Sequence, residues 1–156
     1  MPQTKCGFDD DPNDPNAPKG RDQLVVFGPT MLVDIGFDPS YNPENVGSIP
    51  APGVTGVWAL VDTGATTSCI DSQLAASLSL PVIDRRQYGG AGGLHTADIY
   101  LAQIHVPALT QTIYGEFAGV NLADGFQQHQ ALIGRTFLFH YTMIYNGTTG
   151  DVTLLN

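Results

Sequence analysis

The chain reads as an all-β domain of short strands with one or two short helices. Three observations carry that reading. Eighteen Gly and eleven Pro among 156 residues cut the chain into short segments, because Gly frees the backbone and Pro removes a donor. Residues 97–106 alternate in part, through Ile99, Leu101, Ile104 and Val106, as a half-buried strand does. Asn146-Gly147 separates two apolar runs, a strong short-range hairpin signal.

In chain order, residues 1–22 hold Asp9-Asp10-Asp11-Pro12 and Asp14-Pro15. Such a segment reads as a disordered, solvated arm outside a domain spanning 23–156. It is not a calcium loop, because the Gly and terminal Glu such a loop needs are absent. Residues 23–37 read as strand, interrupted near Gly28-Pro29. Pro39, Pro43, Pro50 and Pro52 mark 38–53 as a surface loop insertion. Residues 54–61 form a strand that ends at Asp62. A short helix follows over 72–78, capped by Asp71 or Ser72 and stopped by Pro81. Residues 97–106 and 111–120 are strands, and 142–145 with 151–155 make a hairpin.

A net charge of −9 with only six Lys and Arg excludes nucleic acid and anionic membrane as partners. No apolar run approaches a membrane span. Met1 to Cys6 lacks the apolar core of a signal peptide, so a soluble, cytoplasmic location is expected. Cys6 and Cys69 make no disulfide framework. Cys69 reads as a small buried hydrophobe, with a disulfide to the tail as the alternative. The four His residues show no ligand spacing, so neither metal nor cofactor is expected.

Leu60-Val61-Asp62-Thr63-Gly64-Ala65 places a carboxylate where an apolar strand ends in a tight turn. A buried carboxylate is costly unless something uses it. The neighbouring Thr hydroxyl and Gly amide are suited to support one.

Asp62-Thr63-Gly64-Ala65 resembles the catalytic turn of retropepsin-like (retroviral-type) aspartic proteases. Some seventy residues later, Ala131-Leu132-Ile133-Gly134-Arg135 is similar to that family's apolar-apolar-Gly motif, which opens into a short helix, here 136–141. Between them, Tyr88-Gly89-Gly90-Ala91-Gly92-Gly93-Leu94 stands where the family has its flap, giving a flap over 88–96. The resemblance spans 24–156. It implies a closed, barrel-like acid-protease fold, a two-fold homodimer and an extended polypeptide substrate.

Hydrolysis by carboxylates needs two of them sharing one proton. The chain holds one Asp-Thr-Gly and no internal repeat. A homodimer would pair Asp62 with its symmetry mate. The resemblance implies that Thr63 braces the two turns across the axis and that Gly64 offers its amide. Ala65 cannot hydrogen-bond the carboxylate, so activity is expected to reach pH ~5–6. In the family, the Arg at position 135 pairs with an acid just after the catalytic turn. Here Thr66 stands at that place, and Asp71 is the nearest candidate partner. The hairpin 142–155 is the expected assembly surface. An alternative reading is a dimerisation or peptide-binding module with little or no proteolysis.

Overall fold

The computed structural model describes residues 2–125 and 127–156. Ten strands, three short α-helices and two 3-10 turns appear among them: a mostly β fold, as expected. The strands are β1 (Gln3–Lys5), β2 (Thr30–Gly36), β3 (Val54–Val61), β4 (Cys69–Asp71) and β5 (Val82–Gly90). They continue with β6 (Gly93–Val106), β7 (Gln111–Val120), β8 (Ala131–Ile133), β9 (Thr142–Asn146) and β10 (Asp151–Leu155). The helices are α1 (Gly20–Phe27), α2 (Ser72–Ser77) and α3 (Arg135–Leu138). None of them is long and apolar enough to cross a membrane.

Seven strands form one sheet in the order β2-β3-β8-β4-β7-β6-β5. Strand β6 is long enough to pair with β5 and β7 and also with β2. The first strand of the run, β2, therefore also pairs with its next-to-last strand, β6. Inside lie Val33, Ile35, Ala59, Ile70, Ile104, Val106, Ala131 and Ile133, all buried. Alternation explains the choice: along β3, Val57, Ala59 and Val61 face the core while Trp58 and Leu60 face outward, half-buried. Each large aliphatic side chain fully buried this way contributes about 1.5–3 kcal/mol.

Residues 2–22 correct the expectation of a disordered arm. Strand β1 pairs antiparallel with β10, with Gln3 opposite Leu155. Cys6 is fully buried, and its amide donates to Val152 O at 2.7 Å. Phe8 packs its ring against Phe27 and Trp58. The acidic residues are satisfied locally instead of being solvated freely. Asp11 and Asp14 accept from the amides of Asn13 and Asn16 two residues on, the Asx-turn pattern. Asp10 accepts from Gly20 N at 2.8 Å, at the start of α1.

Helix α1 also replaces the strand expected over 23–27. Its Leu-Val-Val-Phe run looks β-forming, but Leu24 is buried and the Phe27 ring meets Trp58 edge-on at 5.4 Å. Tertiary packing overrides the local preference. The remaining strand and helix assignments agree with the sequence to within a few residues.

The loop over 38–53 is tied at its ends. The Gln103 side chain receives Asp38 N–H and donates back to Asp38 O, at 2.7 and 3.1 Å. The Asp38 carboxylate bridges Ser40 N and Ala51 N, at 2.8 and 2.9 Å. These backbone donors hold its carboxyl below the ordinary range.

Both cysteines are free and buried, which corrects the disulfide alternative. Burial pushes each thiol up to about 12.

Candidate active site

Asp62 stands one residue beyond β3, half-buried, at the mouth of a tight turn. Its own amide continues the ladder by donating to Ile133 O at 2.9 Å. The carboxylate Oδ1 accepts from Gly64 N at 2.8 Å, and Ala65 N donates back to Asp62 O at 3.2 Å. An ideal Cβ on Gly64 would stand 3.0 Å from that same Oδ1. A side chain there would crowd the acceptor, so Gly keeps the amide close. Thr63 is exposed at the tip.

The second motif meets this turn. Strand β8 runs parallel to β3, with Val61 opposite Ile133, so residues 62 and 134 leave the sheet side by side. Arg135 N donates to Ala65 O at 2.9 Å and Thr136 N to Thr66 O at 3.0 Å. Gly134 passes so close that a Cβ would meet the Thr67 carbonyl carbon at 2.6 Å. The first turn of α3 thus donates its otherwise unpaired amides to the carbonyls of the Asp62 turn.

Arg135 reaches over the same turn. Its guanidinium donates to Thr63 O at 2.8 Å and to Thr66 Oγ1 at 3.0 Å. Thr66 is the partner, and the suggested pairing with Asp71 is corrected. Asp71 is buried and fully used elsewhere: Oδ2 caps α2 through Leu74 N at 3.0 Å, and Oδ1 accepts from Leu122 N and Ala123 N. A neutral hydroxyl suffices for Arg135 because its other contact is a backbone carbonyl.

Ser68 was not among the expected site residues. It is buried, and its Oγ accepts from Gly134 N at 3.1 Å, which satisfies the one amide of the brace without a backbone partner. The only sequence signal was a small hydroxyl residue just past the turn. Cys69, next along, is held as a thiol by burial, with the Asp62 charge adding to the effect.

The glycine-rich segment forms the tip of the β5–β6 hairpin, with Gly89 opposite Leu94 and Gly90 opposite Gly93. Gly92 and Gly93 take φ of 89° and 113°, the region that favours Gly. Ala91 O receives the His95 ring nitrogen at 3.1 Å. A cavity of about 270 Å³ against this hairpin is lined by Ser72, Arg85, Tyr88, His95, Asp98 and Tyr100. Asp62 is not among its lining residues. Direct hydrogen bonds therefore join Asp62, Gly64, Ala65 and Arg135, and Gly134 is tied in through Ser68 Oγ, while among the described residues no hydrogen bond links the hairpin tip to them.

A β sheet that delivers an Asp-Thr-Gly turn and braces it from a parallel neighbour defines a class. A family model described as aspartyl protease matches residues 51–137, more than half of the chain. The chain belongs to that family. It is similar to the solved structure of EIAV protease complexed with the inhibitor HBY-793, at 20% identity and a TM-score of 0.46, over 72% of this chain and 86% of that one. It is also similar to a retropepsin-like aspartic protease from Rickettsia conorii, at 15% identity and a TM-score of 0.43, over 80% of this chain and 92% of that one. No curated protein matches it.

Proposed function

We propose that the chain is a retropepsin-like aspartic endopeptidase whose active site forms between two copies, each contributing Asp62. The observation that carries this reading is the braced turn, in which the Asp62 carboxylate accepts from Gly64 N at 2.8 Å. The ring of ladders through β2 and β6 is read as barrel-like, and it holds that turn at one rim.

Two carboxylates a few ångströms apart cannot both ionise, so the pair holds one proton. The ionised member takes a proton from a water molecule as its oxygen attacks the scissile carbonyl carbon. The protonated member gives its proton to the carbonyl oxygen, and a tetrahedral diol forms. Its collapse breaks the C–N bond, with a proton passed to the leaving nitrogen. Thr63 braces one turn against the other across the axis, and Gly64 N–H fixes the carboxylate. Arg135 positions the turn from behind and does not touch the substrate. The β5–β6 hairpin, residues 88–96, closes over an extended peptide and pairs with its backbone. Because Ala65 offers no hydroxyl to the carboxylate, activity reaches pH ~5–6.

Asp62→Asn is the test. Cleavage of a denatured protein is expected to fall by at least ~1,000-fold. Mixing the inactive variant into wild-type protein should suppress activity beyond simple dilution, since each mixed pair lacks one carboxylate. Cleavage that persists undiminished in Asp62→Asn would falsify the protease reading. Peptide binding without turnover by the wild-type chain would favour the binding-module alternative.

A further inference from the structure

We propose that His129 is an acid-sensitive latch on β8: its neutral imidazole pins the start of that strand into the fold, and one added proton releases it. Among the described residues, His129 Nδ1 is the one buried side-chain polar atom with no hydrogen-bond partner. Such an atom calls for a reason. The tautomer of the ring follows from its neighbour. Thr30 Oγ1 lies 3.0 Å from Gly28 O and 2.7 Å from His129 Nε2. A carbonyl oxygen only accepts, so the single hydroxyl proton goes to Gly28 O. The contact at 2.7 Å therefore needs a proton on Nε2, and Nδ1 keeps a bare lone pair. Protonation would turn Nδ1 into a donor with no acceptor, in a residue only 2% exposed.

The groups packed around the ring do not compensate. From β2 comes Thr30, whose hydroxyl proton is spent on Gly28 O and whose amide donates to Cys6 O. The Cys6 thiol is neutral, pushed up to about 12. From β3 comes Trp58, its ring 5.7 Å away and tilted by 46°. A ring face attracts a cation, but a tilted one returns less than a buried charge loses in hydration. Asp71, Gln73 and Gln127 line a cavity of about 440 Å³ together with His129. Asp71 is the other titratable residue of that lining, and its oxygens are taken by the amides of Leu74, Leu122 and Ala123. Burial accordingly holds the imidazole below its ordinary value. A folded value below the unfolded one gives stability that is complete above pH ~6.5 and is lost as pH falls from there. The position gives that loss a target. Gln130, next along, donates its amide to Trp58 O at 2.8 Å and accepts from Asp71 N at 2.9 Å. Strand β8 and Gly134 follow directly. A charged His129 must leave its site, and the bonds of Gln130 go with it.

The latch goes beyond the protease reading and is tested apart from it, in the full chain carrying Asp62→Asn, which cannot digest itself. NMR of the labelled imidazole nitrogens should show His129 as the Nε2–H tautomer, still mainly neutral at pH ~6, where a free imidazole is mostly charged. The unfolding constant, from urea titrations at each pH, should rise between pH 6 and 5. His129→Gln keeps a donor for Thr30 Oγ1 and gains no proton in that range, so it should remove about four- to eightfold of the rise. Amide exchange at Gln130, relative to its intrinsic rate, should accelerate over the same range in the parent and stay level in the variant. A merely space-filling His129 would leave both pH slopes unchanged by the substitution, and that result overturns the latch. So does a His129 that titrates at pH ~6.5 or above, or that carries its neutral-form proton on Nδ1. Those spectra need no substitution at His129, so a variant that fails to fold still leaves the outcome decided.

Discussion

Glycine serves opposite ends in two regions of this molecule. At the Asp62 turn, Gly64 and Gly134 are demanded by crowding: a Cβ would meet Asp62 Oδ1 at 3.0 Å and the Thr67 carbonyl carbon at 2.6 Å. At the hairpin tip, Gly89, Gly92 and Gly93 have nothing within 4 Å of where a Cβ would stand. The first pair lets backbone approach backbone. In the second group Gly92 and Gly93 take positive φ, and all three have open space around them. One sequence letter thus marks the most constrained part of the site and its least constrained neighbour. Only the partners in space distinguish them.

That contrast can be broken by substitution. Gly134→Ala should be the most damaging, because the neighbour is backbone and cannot swing aside. A loss of about 3 kcal/mol in urea unfolding is expected, with cleavage falling in step. A variant as stable as wild type would mean that the turn can back away from β8. Ala65→Ser adds a hydroxyl beside the carboxylate without disturbing the brace. The acid limb of the kcat/KM profile should move down by about one pH unit. An unmoved limb would remove Ala65 from the account of the working pH range.

The open glycines should respond differently. Gly92→Ala or Gly93→Ala meets no atom but forces a side chain to positive φ, a cost of about 1 kcal/mol. Turnover should suffer more than the unfolding midpoint, measured on the same preparation. Equal effects on both would make the hairpin a structural element like the turn. The smallest effect concerns Cys69, on the crowded side. Its thiol has an ordinary value of 9.0 and is pushed up to about 12 by burial. A folded value above the unfolded one gives stability that is complete below pH 9 and is lost as pH rises toward 12. Between pH 8 and 9.5 the expected drop is under about 1 kcal/mol. Cys69→Ala should remove that share of the drop and leave the similar share that the equally raised Cys6 thiol contributes.

Much of the sheet was legible because its strands carry local signals. Strand β7 runs over 111–120, and the β9–β10 hairpin turns at Asn146-Gly147. The meeting of Asp62 with Gly134 followed from the order and spacing of two motifs, since a parallel strand pair places both turns at one rim. Residues 2–22 were misread because their order comes from afar. Nothing near Gln3 announces a partner at Leu155. The Val25-Val26 pair suggested strand because propensity does not register the burial of Leu24 or the packing of Phe27 on Trp58. The partner of Arg135 was hidden for a related reason. A backbone carbonyl, Thr63 O, leaves no mark in side-chain chemistry.

The pairing of β1 with β10 has a consequence for how the molecule comes into being. Residues 3–5 pair with residues 153–155, so the first strand finds its place only after β10 has been made. Long-range pairing of this kind is slow to form and leaves apolar surface uncovered meanwhile. A nascent chain that already holds Asp62 and Gly134 still lacks the strand that covers Cys6.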